Sequence, residues 1–204
     1  MSLSKKNKEA FLNPLTINNP VTVQVLGICS ALAVTAQLEP ALVMGLAVTV
    51  IVAVANVVIS LLRKTIPGRI RIIVQLVVVA TLVTLVSEVL KAFAYDVSVQ
   101  LSVYVGLIIT NCILMGRLEA FAMQNGPFES LLDGIGSGLG YAKILVIVAF
   151  FRELLGSGKL LGFDVLERFG YVNNGLMLLA PMALVICGCI IWWERAHNKD
   201  LQEK

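Results

Sequence analysis

The chain has 204 residues, 58% of them apolar and 14% charged, with a mean hydropathy of +0.88. A soluble domain carries about 25% charged residues, and a chain this apolar lacks the polar surface to cover a globule in water. A soluble enzyme is therefore excluded in favour of one membrane domain, and the net charge of +3 does not form the clustered basic face of a nucleic-acid binder.

Residues 1–20 are basic at their start. No apolar run appears before Pro20 and no small-residue cleavage site is evident, so no cleaved signal peptide is expected and the first span serves as an insertion signal. Apolar runs then follow at 21–36, 40–62, 72–90, 101–115, 131–151 and 175–193. Each is expected to be helical, because backbone amides in lipid must be satisfied within the segment and no alternating barrel pattern is present. The expected fold is all-α: six transmembrane helices over 21–193, between a cytoplasmic segment 1–20 and a cytoplasmic tail 194–204. Lys and Arg divide eleven against four between the two sides, with Lys143 inside the fifth run, which places both termini in the cytoplasm.

The first and fourth runs hold sixteen and fifteen residues. At about 1.5 Å per residue they cannot cross a core of about 30 Å. They occupy matching places in two halves of three spans, and an odd number of spans per half makes the halves an inverted repeat. Short segments at matched positions of such a repeat point to a site at the bilayer midplane. Leu38-Glu39-Pro40-Ala41 after the first run is faintly echoed by Leu118-Glu119-Ala120-Phe121 after the fourth.

Each short run carries a cysteine, Cys29 and Cys112. Cysteine is often just a small buried residue. Two thiolates meeting at a pseudo-twofold axis are also suited to a soft metal, an iron–sulfur cluster or a disulfide. A [2Fe–2S] cluster normally takes four thiolates, so two would have to come from another subunit. Cys187 and Cys189, two apart on a helix, point in nearly opposite directions and read as packing residues. The glycines at 134, 136, 138 and 140 resemble a dinucleotide loop but lack the preceding strand; glycines four apart in an apolar run let two membrane helices approach closely.

Glu88 and Asp133 are carboxylates within or beside spans, hence candidates for an ion pathway; interfacial residues paired with Lys91 or another cation are the alternative. Glu39 and Glu119 read as re-entrant-loop or cap residues. His197, the sole histidine, reads as a solvated tail residue.

The stretches Gln24-Val25-Leu26-Gly27-Ile28-Cys29-Ser30-Ala31, Ile109-Thr110-Asn111-Cys112-Ile113-Leu114-Met115-Gly116-Arg117, Phe150-Phe151-Arg152-Glu153-Leu154-Leu155-Gly156-Ser157-Gly158 and Asn174-Gly175-Leu176-Met177 resemble the NqrD/RnfE family. The resemblance runs from about 18 to 193. It is closer to the sodium-translocating NADH:quinone reductase branch than to the Rnf branch. It implies a six-subunit bacterial inner-membrane complex that oxidises NADH, reduces quinone and exports sodium. It further implies that Cys29 and Cys112 ligate an intramembrane [2Fe–2S] cluster shared with a similar but inverted E subunit. That cluster would pass electrons between a cytoplasmic iron–sulfur centre and a periplasmic flavin. Family carboxylates linked to sodium uptake fall at Glu88 and Asp133, with Glu at 88 where the family pattern implies Asp. No Ser-Gly-Ala-Thr motif occurs, so no covalent flavin is expected on this chain. A component of the Rnf complex, a secondary transporter built on inverted repeats and a scaffold that only packs partner subunits are the rival readings.

Overall fold

The computed structural model of the protein describes residues 19–93, 104–160, 163–164 and 175–197. In chain order the helices are α1 (Ile28–Val34), α2 (Leu38–Leu62), α3 (Arg71–Phe93), α4 (Val105–Ile109), α5 (Cys112–Arg117), α6 (Pro127–Ser157) and α7 (Ala180–His197). A π-helical turn (Leu118–Ala122) extends α5, and a 3-10 turn (Gly175–Leu178) precedes α7. Among the described residues the strands are one two-residue antiparallel pair, β1 (Lys159–Leu160) with β2 (Phe163–Asp164). The expected segments 1–20 and 194–204 lie largely outside the described residues.

Among the described residues three helices are long and apolar enough to cross a membrane: α2, the 71–89 portion of α3, and α6. With 25 and 31 residues, α2 and α6 are about 37 and 46 Å long, enough to span a core of about 30 Å even when tilted. They make the most extensive contact in the fold, because small residues let their backbones meet. A Cβ added at Gly134 would stand 2.7 Å from Ala53 Cα, and one at Gly138 would stand 2.6 Å from Thr49 Cα. The glycine run is thus a helix-packing seam inside α6, as the four-residue spacing suggests. Met44, Val48, Ile51, Val52, Leu145 and Val148 fill the core around it. By contrast α3 leaves Ile72, Ile73, Val77, Leu85 and Val89 exposed, a face for lipid or a neighbouring subunit.

The first and fourth runs differ from continuous helices. Residues 21–27 form turns, and helix begins only at Ile28. The fourth run breaks at Thr110 and Asn111 into α4 and α5. Apolarity alone does not reveal these breaks; specific residues make them. Gly27 stands in the left-handed region (φ 83) and Asn111 is extended, its side chain capping the Ile113 N–H at 3.3 Å. Non-helical backbone at membrane depth persists only where protein buries it. Here Val21, Thr22 and Gly27 are buried, while Gln24 and Val25 are exposed on this chain taken by itself. The Asn19 side chain accepts from the Val21 N–H at 3.0 Å and donates to the Gly140 carbonyl at 3.3 Å.

Candidate functional site

The two broken segments bring their cysteines together. Cys29 is the second residue of α1 and Cys112 the first of α5. Cys112 Sγ lies against Gly27, two residues before Cys29, and both thiols are free, Cys29 exposed and Cys112 half-buried. The Gly27 N–H donates to Cys112 Sγ at 2.8 Å. By its chemistry a thiol pair with one exposed member fits half of a four-thiolate set. Among the described residues no group of three or more His, Cys, Asp or Glu gathers.

Beneath the sulfurs lies a buried polar knot. Ser30 Oγ donates to the Gly27 carbonyl at 2.9 Å and meets the Tyr141 hydroxyl at 2.6 Å. Asn111 Nδ2 donates to Ser30 Oγ at 3.2 Å and to the Tyr141 hydroxyl at 3.4 Å. Ser30 and Asn111 are the immediate neighbours of Cys29 and Cys112, and Tyr141 comes from α6. Each member of the knot is buried and hydrogen-bonded, as low-dielectric surroundings require. The loop entering α1 also holds Val25 at φ 57, a strained value for a β-branched residue.

The carboxylates are placed differently. Asp133 is buried in a two-contact ion pair with Arg117: Nε to Oδ2 at 3.0 Å and Nη2 to Oδ1. The Arg117 guanidinium also lies 5.5 Å from the Phe121 ring centroid. Glu88 is exposed and pairs with Lys91 at 2.7 Å, three residues along α3. Glu119, on the π-turn, pairs with Arg71 and accepts from Gln75 Nε2 at 3.1 Å. Glu39 lies in the first turn of α2. Cys187 is buried and Cys189 exposed, on different faces of α7.

Two arginines that follow apolar runs in the sequence are buried. Arg117 is one. Arg152 is the other, 1% exposed, and it donates to Thr35 Oγ1 at 2.7 Å and to the carbonyls of Leu178 (2.6 Å), Met177 (3.3 Å), Leu32 (3.4 Å) and Leu179 (3.4 Å). Its neighbour Glu153 accepts from the Leu38 N–H at 2.5 Å, capping the start of α2. Together they tie the α1–α2 link to α6 and to the 3-10 turn. The available sequence signal was an ion at the end of an apolar run, costly unless partnered.

The chain belongs to the Rnf-Nqr family of membrane proteins, whose model matches residues 7–191. It is 56% identical over 208 residues, covering both chains completely, to a protein of Haemophilus influenzae strain Rd named as the D subunit of the Na(+)-translocating NADH-quinone reductase. Proteins of the same name from Yersinia pestis strain Pestoides F and Yersinia pseudotuberculosis strain IP 31758 are 58% identical, again over the whole of both chains.

Proposed function

We propose that the chain is the D-type subunit of a sodium-translocating NADH:quinone reductase and supplies two of four thiolates, Cys29 and Cys112, to a [2Fe–2S] cluster. The observation that carries the proposal is the contact of Cys112 Sγ with Gly27, two residues before Cys29, which joins two broken segments that each carry a free thiol, one of them exposed. Full-length similarity to proteins of that name supports the wider function and favours it over a place in an Rnf complex. When bound, such a cluster supplies one-electron transfer through the bilayer.

The chain's own residues direct one N–H at a sulfur and anchor the turns that carry both cysteines through Ser30, Asn111 and Tyr141. The missing two ligands would come from an inverted partner, the E subunit, facing the exposed Cys29. The order short helix then long helix, α1–α2 and α5–α6, supports a six-span arrangement of two inverted halves. The Lys and Arg distribution supports an inner-membrane orientation with both termini in the cytoplasm. Glu88 and Asp133 are proposed to lie on the sodium path.

Iron and acid-labile sulfide counted per purified complex test the cluster. Cys29→Ser and Cys112→Ser should each remove one cluster's worth of both while the subunits stay assembled. Unchanged iron and sulfide in both variants would leave a transporter or scaffold role for this chain.

A further inference from the structure

Sulfur position at this site depends on two turns that belong to distant parts of the chain, and one side chain reaches both. The Tyr141 ring lies directly against Gly27: a Cβ added there would stand 2.9 Å from the ring. Its hydroxyl meets Ser30, next to Cys29, and receives Asn111, next to Cys112. The hydrogens can be assigned without conflict. Ser30 gives its proton to the Gly27 carbonyl, so Tyr141 gives its own to Ser30, and the Asn111 amide donates to both oxygens. Asn111 Oδ1 is left to cap the Ile113 N–H that starts α5. The same Gly27 whose carbonyl Ser30 holds sends its N–H to Cys112 Sγ.

Resting on the reading of Cys29 and Cys112 as cluster ligands, we propose that Tyr141 is a positioning residue that fixes the spacing of the two sulfurs and holds the Gly27 N–H on the Cys112 sulfur. Hydrogen bonds to ligand sulfur help set the reduction potential of an iron–sulfur centre. An N–H on a thiolate stabilises the more negative, reduced state and raises the potential. Tyr141 thereby acts on the potential through Ser30, Asn111 and Gly27 without touching the sulfurs with its hydroxyl.

The test is a redox titration of the cluster, with electron paramagnetic resonance of its reduced form, in the intact purified complex carrying Tyr141→Phe or Ser30→Ala. Tyr141→Phe keeps the ring under Gly27 and removes the hydroxyl; Ser30→Ala removes the oxygen at the centre of the knot. Both variants should retain iron and show a lowered midpoint potential with shifted or broadened g-values, Ser30→Ala in the same direction as Tyr141→Phe. Loss of iron from complexes whose polypeptides remain assembled supports the same role. Iron-loaded variants with wild-type potential and spectrum overturn it, as does failure of both to assemble at all, which would make the knot purely structural. If Tyr141→Phe alone fails to assemble, Ser30→Ala decides. Cys112→Ala, measured alongside, separates the two readings: a cluster signal that survives it removes the ligand assignment, whereas a lost signal with unaltered Tyr141→Phe removes only the positioning role.

Discussion

The backbone N–H of Gly27 donates to the sulfur of Cys112 at 2.8 Å, joining turns 85 residues apart in sequence. It is a contact between the two broken segments themselves. It depends on Gly27 holding φ 83, a conformation that aligns the N–H with a sulfur from the other half of the chain.

Gly27→Ala should therefore damage the site twice over. The left-handed conformation costs a residue with a Cβ about 1–2 kcal/mol, and the new carbon would stand 2.9 Å from the Tyr141 ring. The expected outcome is an assembled complex with lowered thermal stability and less iron, read by a thermal melt and an iron assay. Gly68→Ala, at an exposed glycine with nothing within 4 Å, should leave both readings at wild-type values.

The Arg117–Asp133 pair predicts an asymmetric double-mutant cycle. Removing one partner of a buried ion pair strands the other and costs about 3–5 kcal/mol, whereas replacing both with apolar residues of similar size can be nearly neutral. Arg117→Met and Asp133→Leu should each reduce assembly severely, and the double variant should recover much of it. If Asp133 lies on the sodium path, the recovered double variant will assemble but lose the sodium dependence of turnover. Full sodium dependence in that variant would remove Asp133 from the path.

Glu88 calls for the opposite expectation on stability. Its pair with Lys91 is exposed, and such pairs contribute about 0–1 kcal/mol. Glu88→Gln should leave the melting behaviour of the complex unchanged. A raised sodium requirement for turnover would then report on an ion path directly, uncomplicated by folding.

Much of this was legible in the sequence, and the reasons differ by element. Apolar runs marked α2, α3 and α6, because lipid as solvent makes a long apolar segment helical whatever its β-branched content. The shortness of runs one and four flagged both cysteines. What stayed hidden was where those runs break, since the breaks depend on Gly27 and Asn111 meeting Tyr141, a contact across 30 residues in one case and more in the other. The buried state of Arg117 and Arg152 was equally hidden. Both stand at the ends of apolar runs, where a charge at the water boundary and a charge folded inward look alike in sequence. Only the partners, Asp133 for one and a set of carbonyls for the other, distinguish them.

Arg152 yields a further prediction from that difference. Its fork reaches Thr35 and several carbonyls at once, which the point charge of a lysine cannot match. Arg152→Lys should lower the thermal stability of the assembled complex although charge is kept, and Arg152→Met should lower it more. A lysine variant with wild-type melting behaviour would show that charge alone is required.

Whether Cys29 and Cys112 hold iron is addressed most directly by electron paramagnetic resonance of the reduced, intact complex. A [2Fe–2S] signal present in the wild type should vanish in both Cys29→Ala and Cys112→Ala while any signal from other iron–sulfur centres persists. An undiminished set of signals in both variants would contradict the ligand assignment.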